Sequence, residues 1–323
     1  MDNKITKRRL SRFFMYEWLV LVAVIVAVIL AWEFLFSLTS VKLTRDDRFY
    51  YYYDMNMDDG NSVNFYNQIT GENNIFSYGV QEVYTTYVFS DYTQFNAYIT
   101  ALDGDAMFTN IRVPSGVEQG EYQKNQANQI IDGYNSYSFE KLIEDATAYL
   151  KKYVKAMDNP LDKTKIDAGY VEANFLSIMA KDNRFRSKEE KVKGIAFETT
   201  RIEKLMDATS RFKWLLENHP EYFYTYTRFE QAYNLAEDGS SEKEIYKTWF
   251  EKEQTKTYAL KLEMLKGGQK NVDDYFKLYA DETAKDSVLV LFDYINEQPN
   301  FQFESLFFID YIVSTYSNIY STI

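Results

Sequence analysis

The chain has 323 residues, 46% of them apolar and 26% charged, with 24 Phe, 29 Tyr and 4 Trp, enough buried area on folding to exclude disorder for most of its length. It contains no cysteine, which excludes disulfides, thiolate metal sites, Cys nucleophiles and a lipidated Cys anchor. The net charge is −12; residues 1–40 carry five bases and three acids, so the remainder carries −14, which argues against nucleic acid or anionic lipid as its main partner and favours a neutral or cationic ligand or a protein.

The N-terminus is basic, with Lys4, Lys7, Arg8, Arg9 and Arg12. From Trp18 to Leu38 the sequence WLVLVAVIVAVILAWEFLFSL holds one charge, Glu33, in 21 positions, and a membrane-spanning helix needs about 20 apolar residues. Tyr16, Trp18, Trp32, Phe34 and Phe36 cluster at its two ends as interfacial aromatics do. The stretch exceeds the roughly 7–15 apolar residues of a cleaved signal, and no small-x-small cleavage site follows it. The basic side, opposed by Lys42, Arg45 and Arg48 diluted with Asp46 and Asp47, predicts a cytoplasmic N-terminus and an extracytoplasmic C-terminal domain of a single-pass cell-membrane protein. No Asn-x-Ser/Thr acceptor is present, in keeping with a bacterial source.

Beyond the anchor, VKLTRDDRFYYYY (41–53) predicts a strand running into an Asp-Asn-Gly loop, and NSVNFYNQIT a short helix. VQEVYTTYVFS (80–90) alternates as a second strand; Asp91 caps a helix carrying Tyr92, Phe95, Tyr98, Ile99 and Leu102 at helical spacing, and AMFTNIRV (106–113) is a third strand. A β-α-β-α-β order of this kind implies a parallel sheet, hence an α/β fold. After Pro114 the pattern turns helical. Helices are predicted at 139–157, with Leu142, Ile143, Ala146, Tyr149, Leu150, Tyr153 and Val154 on one face, and over GYVEANFLSIMA; a strand is predicted at 193–199. Thr200 and Glu203 read as the capping box of a helix ending at Asn218, followed by helices at 221–236 and 241–266, the latter stopped by Gly267-Gly268. DSVLVLFDYI and a terminal helix, ESLFFIDYIVSTYSNIY, close the chain. The implied organisation is a basic tail (1–15), a membrane helix (16–38), an α/β lobe (41–115) that residues 286–323 could complete, and a helix-rich second lobe (121–285).

No residue pattern predicts catalysis, a metal or a cofactor. The one histidine, His219, stands at a helix end before Pro220 and reads as a surface residue. Asp54, Asn56 and Asp58 begin like a calcium loop, yet Asp59 replaces the required Gly and Phe65 stands where the bidentate Glu belongs. The 48 acidic residues guarantee some pair at glycosidase spacing without singling one out. Aromatic clusters at Phe49–Tyr53, at Tyr84 and Tyr87, and in EYFYTYTRF (221–229) suit sugar or peptide contact, but read mostly as core.

FYYYYDMN, then VYTTYVFSDYTQFNAYITALDGDAMFTN with its Gly-Asp-Ala before the third strand, and finally FESLFFIDYIVSTYSN resemble the opening lobe and closing helix of extracellular, periplasmic-type solute-binding proteins. With the start RRLSRFFMYEWLV, the chain resembles uncharacterised membrane-anchored relatives of these proteins in Gram-positive bacteria. The resemblance implies a non-catalytic binding or sensing domain that could serve a membrane protein or transporter complex. Ligands of open α/β sheets sit beyond the carboxyl ends of strands, which points to Asp54, Asn56, Thr109 and Asn110. The alternatives are a structural or assembly subunit of an envelope complex and a carboxylate-based glycan hydrolase.

Overall fold

A computed structural model describes residues 7–39, 48–53, 59–70, 74–76, 80, 82–87, 104–110, 131, 136–155, 159–179, 187–270, 287–292 and 303–323. The chain divides into two compact units, Met1–Leu43 and Thr44–Ile323.

In the first unit, α1 (Lys7–Arg12) runs through a π-helical turn at Phe13–Glu17 into α2 (Trp18–Thr39). Arg12 and Trp18 keep right-handed helical dihedrals, and the Trp18 N–H donates to the Phe13 carbonyl, so the helix continues across the turn. Twenty-two residues of α2 extend about 33 Å at 1.5 Å each, matching a hydrocarbon core of about 30 Å. Its apolar side chains are exposed all round, from Trp18 to Phe36, as a helix solvated by lipid requires. This helix is long and apolar enough to cross a bilayer.

The second unit is mixed α/β. Its strands are β1 (Arg48–Tyr53), β2 (Glu82–Tyr87), β3 (Ala106–Asn110), β4 (Phe223–Tyr226), β5 (Lys256–Lys261) and β6 (Ser287–Leu291), joined in one sheet of order β2-β1-β3-β6-β5-β4. β1 runs parallel to β2 and β3, as the β-α-β-α-β reading requires, and the other three pairings are antiparallel. The helices are α3 (Asp59–Thr70), α4 (Phe139–Leu150), α5 (Ala168–Met179), α6 (Lys188–Asn218), α7 (Glu230–Leu235), α8 (Ser241–Lys252) and α9 (Glu304–Tyr316). The predicted helix after Asp91, the start of the first strand at 41–47, and residues 88–90 and 111–113 lie outside the described residues.

Alternation along β1 sends Phe49, Tyr51 and Tyr53 into the main core, which also takes Phe108, Leu289, Leu260 and Phe223 from the other strands. On the opposite face Tyr52, Met107, Val290 and Tyr258 are buried too, so neither side of the sheet is a bare surface. Phe308 of α9 is the hub of the main core, with ring centroids 5.0 Å from Phe49, 5.7 Å from Tyr51, 5.8 Å from Phe108 and 6.0 Å from Phe65. α9 is tied to α6 by Arg211, whose Nε and terminal nitrogen donate to both Asp310 oxygens at 2.8 and 2.5 Å.

Several sequence expectations are corrected. Residues 193–199 are not a strand but lie inside α6, because Ser187 and Glu190 form a reciprocal capping box that starts the helix earlier. Thr200 therefore sits mid-helix, its hydroxyl donating back to the Ala196 carbonyl at 3.1 Å, and caps nothing. Residues 221–236 are a 3₁₀ turn, β4 and the short α7, since Phe223–Tyr226 pair with β5. The helix expected over 241–266 stops at Lys252, and Lys256–Lys261 join the sheet between β4 and β6. Gly267, at φ +78°, makes an isolated bridge to Ser317 instead of ending a helix. In the first helical segment α4 ends at Leu150, seven residues short of the expected limit, and a 3₁₀ turn over Lys151–Tyr153 follows.

Candidate functional site

In the order β2-β1-β3-β6-β5-β4 the strand that follows β1 lies on one flank of the β1–β3 pair and the strand that follows β3 lies on the other. The gap between the carboxyl ends of β1 and β3 is thus the topological switch point, where connections diverge and ligands of open α/β sheets sit. Tyr53 and Phe108 are register partners there, so Thr109 and Asn110 continue β3 beside the point where β1 ends. Thr109 is 2% exposed and paired with Val288, and Asn110 is paired with Ser287, itself buried. Both residues therefore belong to the strand and not to a loop. Asp54 and Asn56 lie outside the described residues, as does Asp58.

At the opposite, amino end of β3 stands the Gly104-Asp105 turn. The Asp105 carboxylate accepts the Tyr50 N–H at 2.6 Å, while the Asp105 N–H donates to the Tyr50 carbonyl at 2.8 Å, clamping β3 to β1 at its start. A Cβ on Gly104 would fall 2.7 Å from the Tyr52 ring and 2.9 Å from that of Phe292, so only glycine lets the turn approach so closely.

A second polar constellation was not foreseen from sequence. Arg201 on α6 donates from Nε and a terminal nitrogen to both Glu198 oxygens at 2.7 and 2.9 Å, with both side chains almost fully buried. The same terminal nitrogen reaches the Tyr149 hydroxyl at 2.7 Å; Tyr149 and Tyr153 hydroxyls lie 2.8 Å apart, and the Asn174 amide donates to Tyr153 at 2.7 Å. Burial, and next the neighbouring Tyr149, hold the Tyr153 hydroxyl far above its ordinary range, so it stays neutral. A carboxylate, a guanidinium and two phenols are here bonded to one another; the network binds α4, α5 and α6 together. Its one sequence trace is spacing, i,i+3 for Glu198 and Arg201 and i,i+4 for the tyrosines.

His219 caps the C-terminus of α6, with Nδ1 3.0 Å from a Glu221 oxygen and its ring stacked on Tyr222 at 5.0 Å. Because both faces of the sheet are covered, Phe49, Tyr51, Tyr52, Tyr53, Phe223 and Tyr226 are all buried. Tyr50 stacks on Tyr84 at 4.9 Å, with the Arg48 guanidinium 5.7 Å from the Tyr84 ring and 3.4 Å from Glu82. Among the described residues no three His, Asp or Glu side chains converge on a point where a metal ion would fit. Searches with family models, with curated proteins and with solved structures give no match to this chain.

Proposed function

We propose that this is a membrane-tethered extracytoplasmic protein whose α/β domain binds or senses a small ligand without chemical turnover, in the manner of solute-binding proteins. The observation that carries this reading is the switch point: β1 and β3 end side by side in a parallel arrangement, and Thr109 and Asn110 stand there. The apolar α2 supports the tether, and the cluster Lys7, Arg8, Arg9 and Arg12 before it supports a cytoplasmic N-terminus. The acidic balance of the chain supports a neutral or cationic ligand.

Thermal unfolding of the detergent-solubilised chain against panels of sugars, amino acids and short peptides tests the binding role. A true ligand at about a hundred times its Kd stabilises by about 2.7 kcal/mol and raises Tm by several degrees. A panel without any response overturns the reading. Protease treatment of intact cells tests the orientation, which fails if the domain is protected while the N-terminus is cut.

A further inference from the structure

β4 and β5 are neighbouring antiparallel strands, yet their connection is the helix pair α7 and α8 instead of a tight turn. Neither helix contributes a buried residue. The pair is held by its own rings: Tyr233 stacks on Phe250 at 5.4 Å, and Trp249 meets Phe229 at 5.1 Å and Tyr246 at 5.9 Å. Phe229 adopts φ 67°, a left-handed conformation disfavoured for a bulky residue, at the start of α7. Ser240 caps α8 by accepting the Lys243 N–H at 3.0 Å, and Lys243 in turn pairs with Asp238.

This arrangement leaves a large apolar surface in water: Leu235 is 77% exposed, Ile245 49% and Trp249 46%. Glu242, Ile245 and Trp249 on α8 and Glu253 at its C-cap follow one helical stripe, so a carboxylate stands at either end of the apolar pair, Glu242 accepting the Tyr246 hydroxyl at 3.1 Å and Glu253 3.9 Å from Lys256. Between Phe229 and Thr255 there are seven carboxylates and three lysines. An anionic bilayer, a nucleic acid and a second copy of the same acidic face would each be repelled. An apolar stripe flanked by carboxylates is complementary to a helix or strand that alternates apolar residues with Lys or Arg.

We propose that the exposed face of α8 docks a cationic amphipathic segment of a partner protein, with a partner Lys or Arg over the Trp249 indole between Glu242 and Glu253. A cation above an indole is attracted to the ring face, and the two carboxylates add charge pairing. This surface is separate from the β1–β3 strand ends, and its test does not depend on a ligand there.

The probe is a labelled amphipathic helix of Leu and Lys, about 18 residues long so that its apolar stripe spans several turns, titrated against the full chain in neutral detergent. Its counterpart carries Glu in place of Lys. The Lys peptide binds the native chain and the Glu peptide does not. Glu242→Lys/Glu253→Lys weakens the Lys peptide by about tenfold and gains the Glu peptide, and Trp249→Ala weakens the Lys peptide by about fivefold. Gain of the Glu peptide is a readout that an unfolded helix pair cannot mimic. The control Glu189→Lys/Glu217→Lys, at exposed positions of α6, leaves the Lys peptide's affinity unchanged. Equal binding of both peptides, no binding of the Lys peptide, or an equal loss in the control overturns the proposal.

Discussion

The sheet core and the α7–α8 pair are built from the same kind of residue and have opposite fates. Phe308 is fully buried among Phe49, Tyr51, Phe65, Phe76 and Phe108, whereas Trp249 touches two rings and stays 46% exposed. The difference is the number of layers. A sheet flanked by α3, α4, α6 and α9 encloses a ring on all sides, while two helices of 6 and 12 residues have, among the described residues, no third element closing over them. Aromatic content therefore does not identify a core; the count of surrounding elements does.

The largest expected effect tests that contrast directly. Phe308→Ala should destabilise by about 3–5 kcal/mol in denaturant unfolding, and Trp249→Ala by less than about 1 kcal/mol. Equal effects would erase the distinction between the two regions. Gly268→Ala comes next, at about 1–3 kcal/mol, because a Cβ there would lie 2.3 Å from the Tyr316 carbonyl carbon and must push the end of α9 away. Asp310→Asn should cost about 1 kcal/mol, as it removes a charged acceptor pair from Arg211, a group still one-third open to water.

Two smaller effects depend on pH. Burial raises the hydroxyls of Tyr51 and Tyr320 above the ordinary tyrosine value. The unfolded chain releases those protons near pH 10 and the folded one retains them, so their contribution is complete below about pH 10 and is lost as pH rises beyond it. Tyr51→Phe should move the alkaline unfolding midpoint, followed by circular dichroism, to higher pH. At the exposed positions the sign reverses. Asp162 is held low by the Thr164 hydroxyl and N–H, and Asp238 by Lys243. Their small contributions are present above about pH 4 and are lost as pH falls through the lowered values. Asp238→Asn should soften the acid response of α7–α8 without changing that of the sheet, by site-resolved hydrogen exchange.

Local pattern was sufficient where local chemistry decides. The short apolar run AMFTN and the long apolar ESLFFIDYIVSTY became β3 and α9, as their lengths and flanking turn residues indicate, while SVLVL, left without an assignment in the sequence, became β6. β4 and β5 were missed because FYTY and KTYALK are short, sit between helical segments, and become strands through pairing with each other and with β6. The parallel pairing of the first three strands was legible from their alternation with helical segments. The Glu198–Arg201 pair was not, because charged residues three apart on a long helix ordinarily face solvent, and burial comes from α4 and α5 packing over them.

The antiparallel pairing of β3 with β6 has a consequence for how the molecule is made. Phe108 finds its partner Leu289 only after all of α4 to α8 has been synthesised, and its packing partner Phe308 arrives later still. The helices α4, α5 and α6 can assemble early from contacts near in sequence, but the parallel strands must wait with Phe49, Tyr51 and Phe108 covered only in part, by Phe65 and Phe76, until Phe308 arrives. Emerging chains of this protein thus carry a sticky, half-built sheet through most of translation, and their yield should depend on whatever shields it until the last helix arrives.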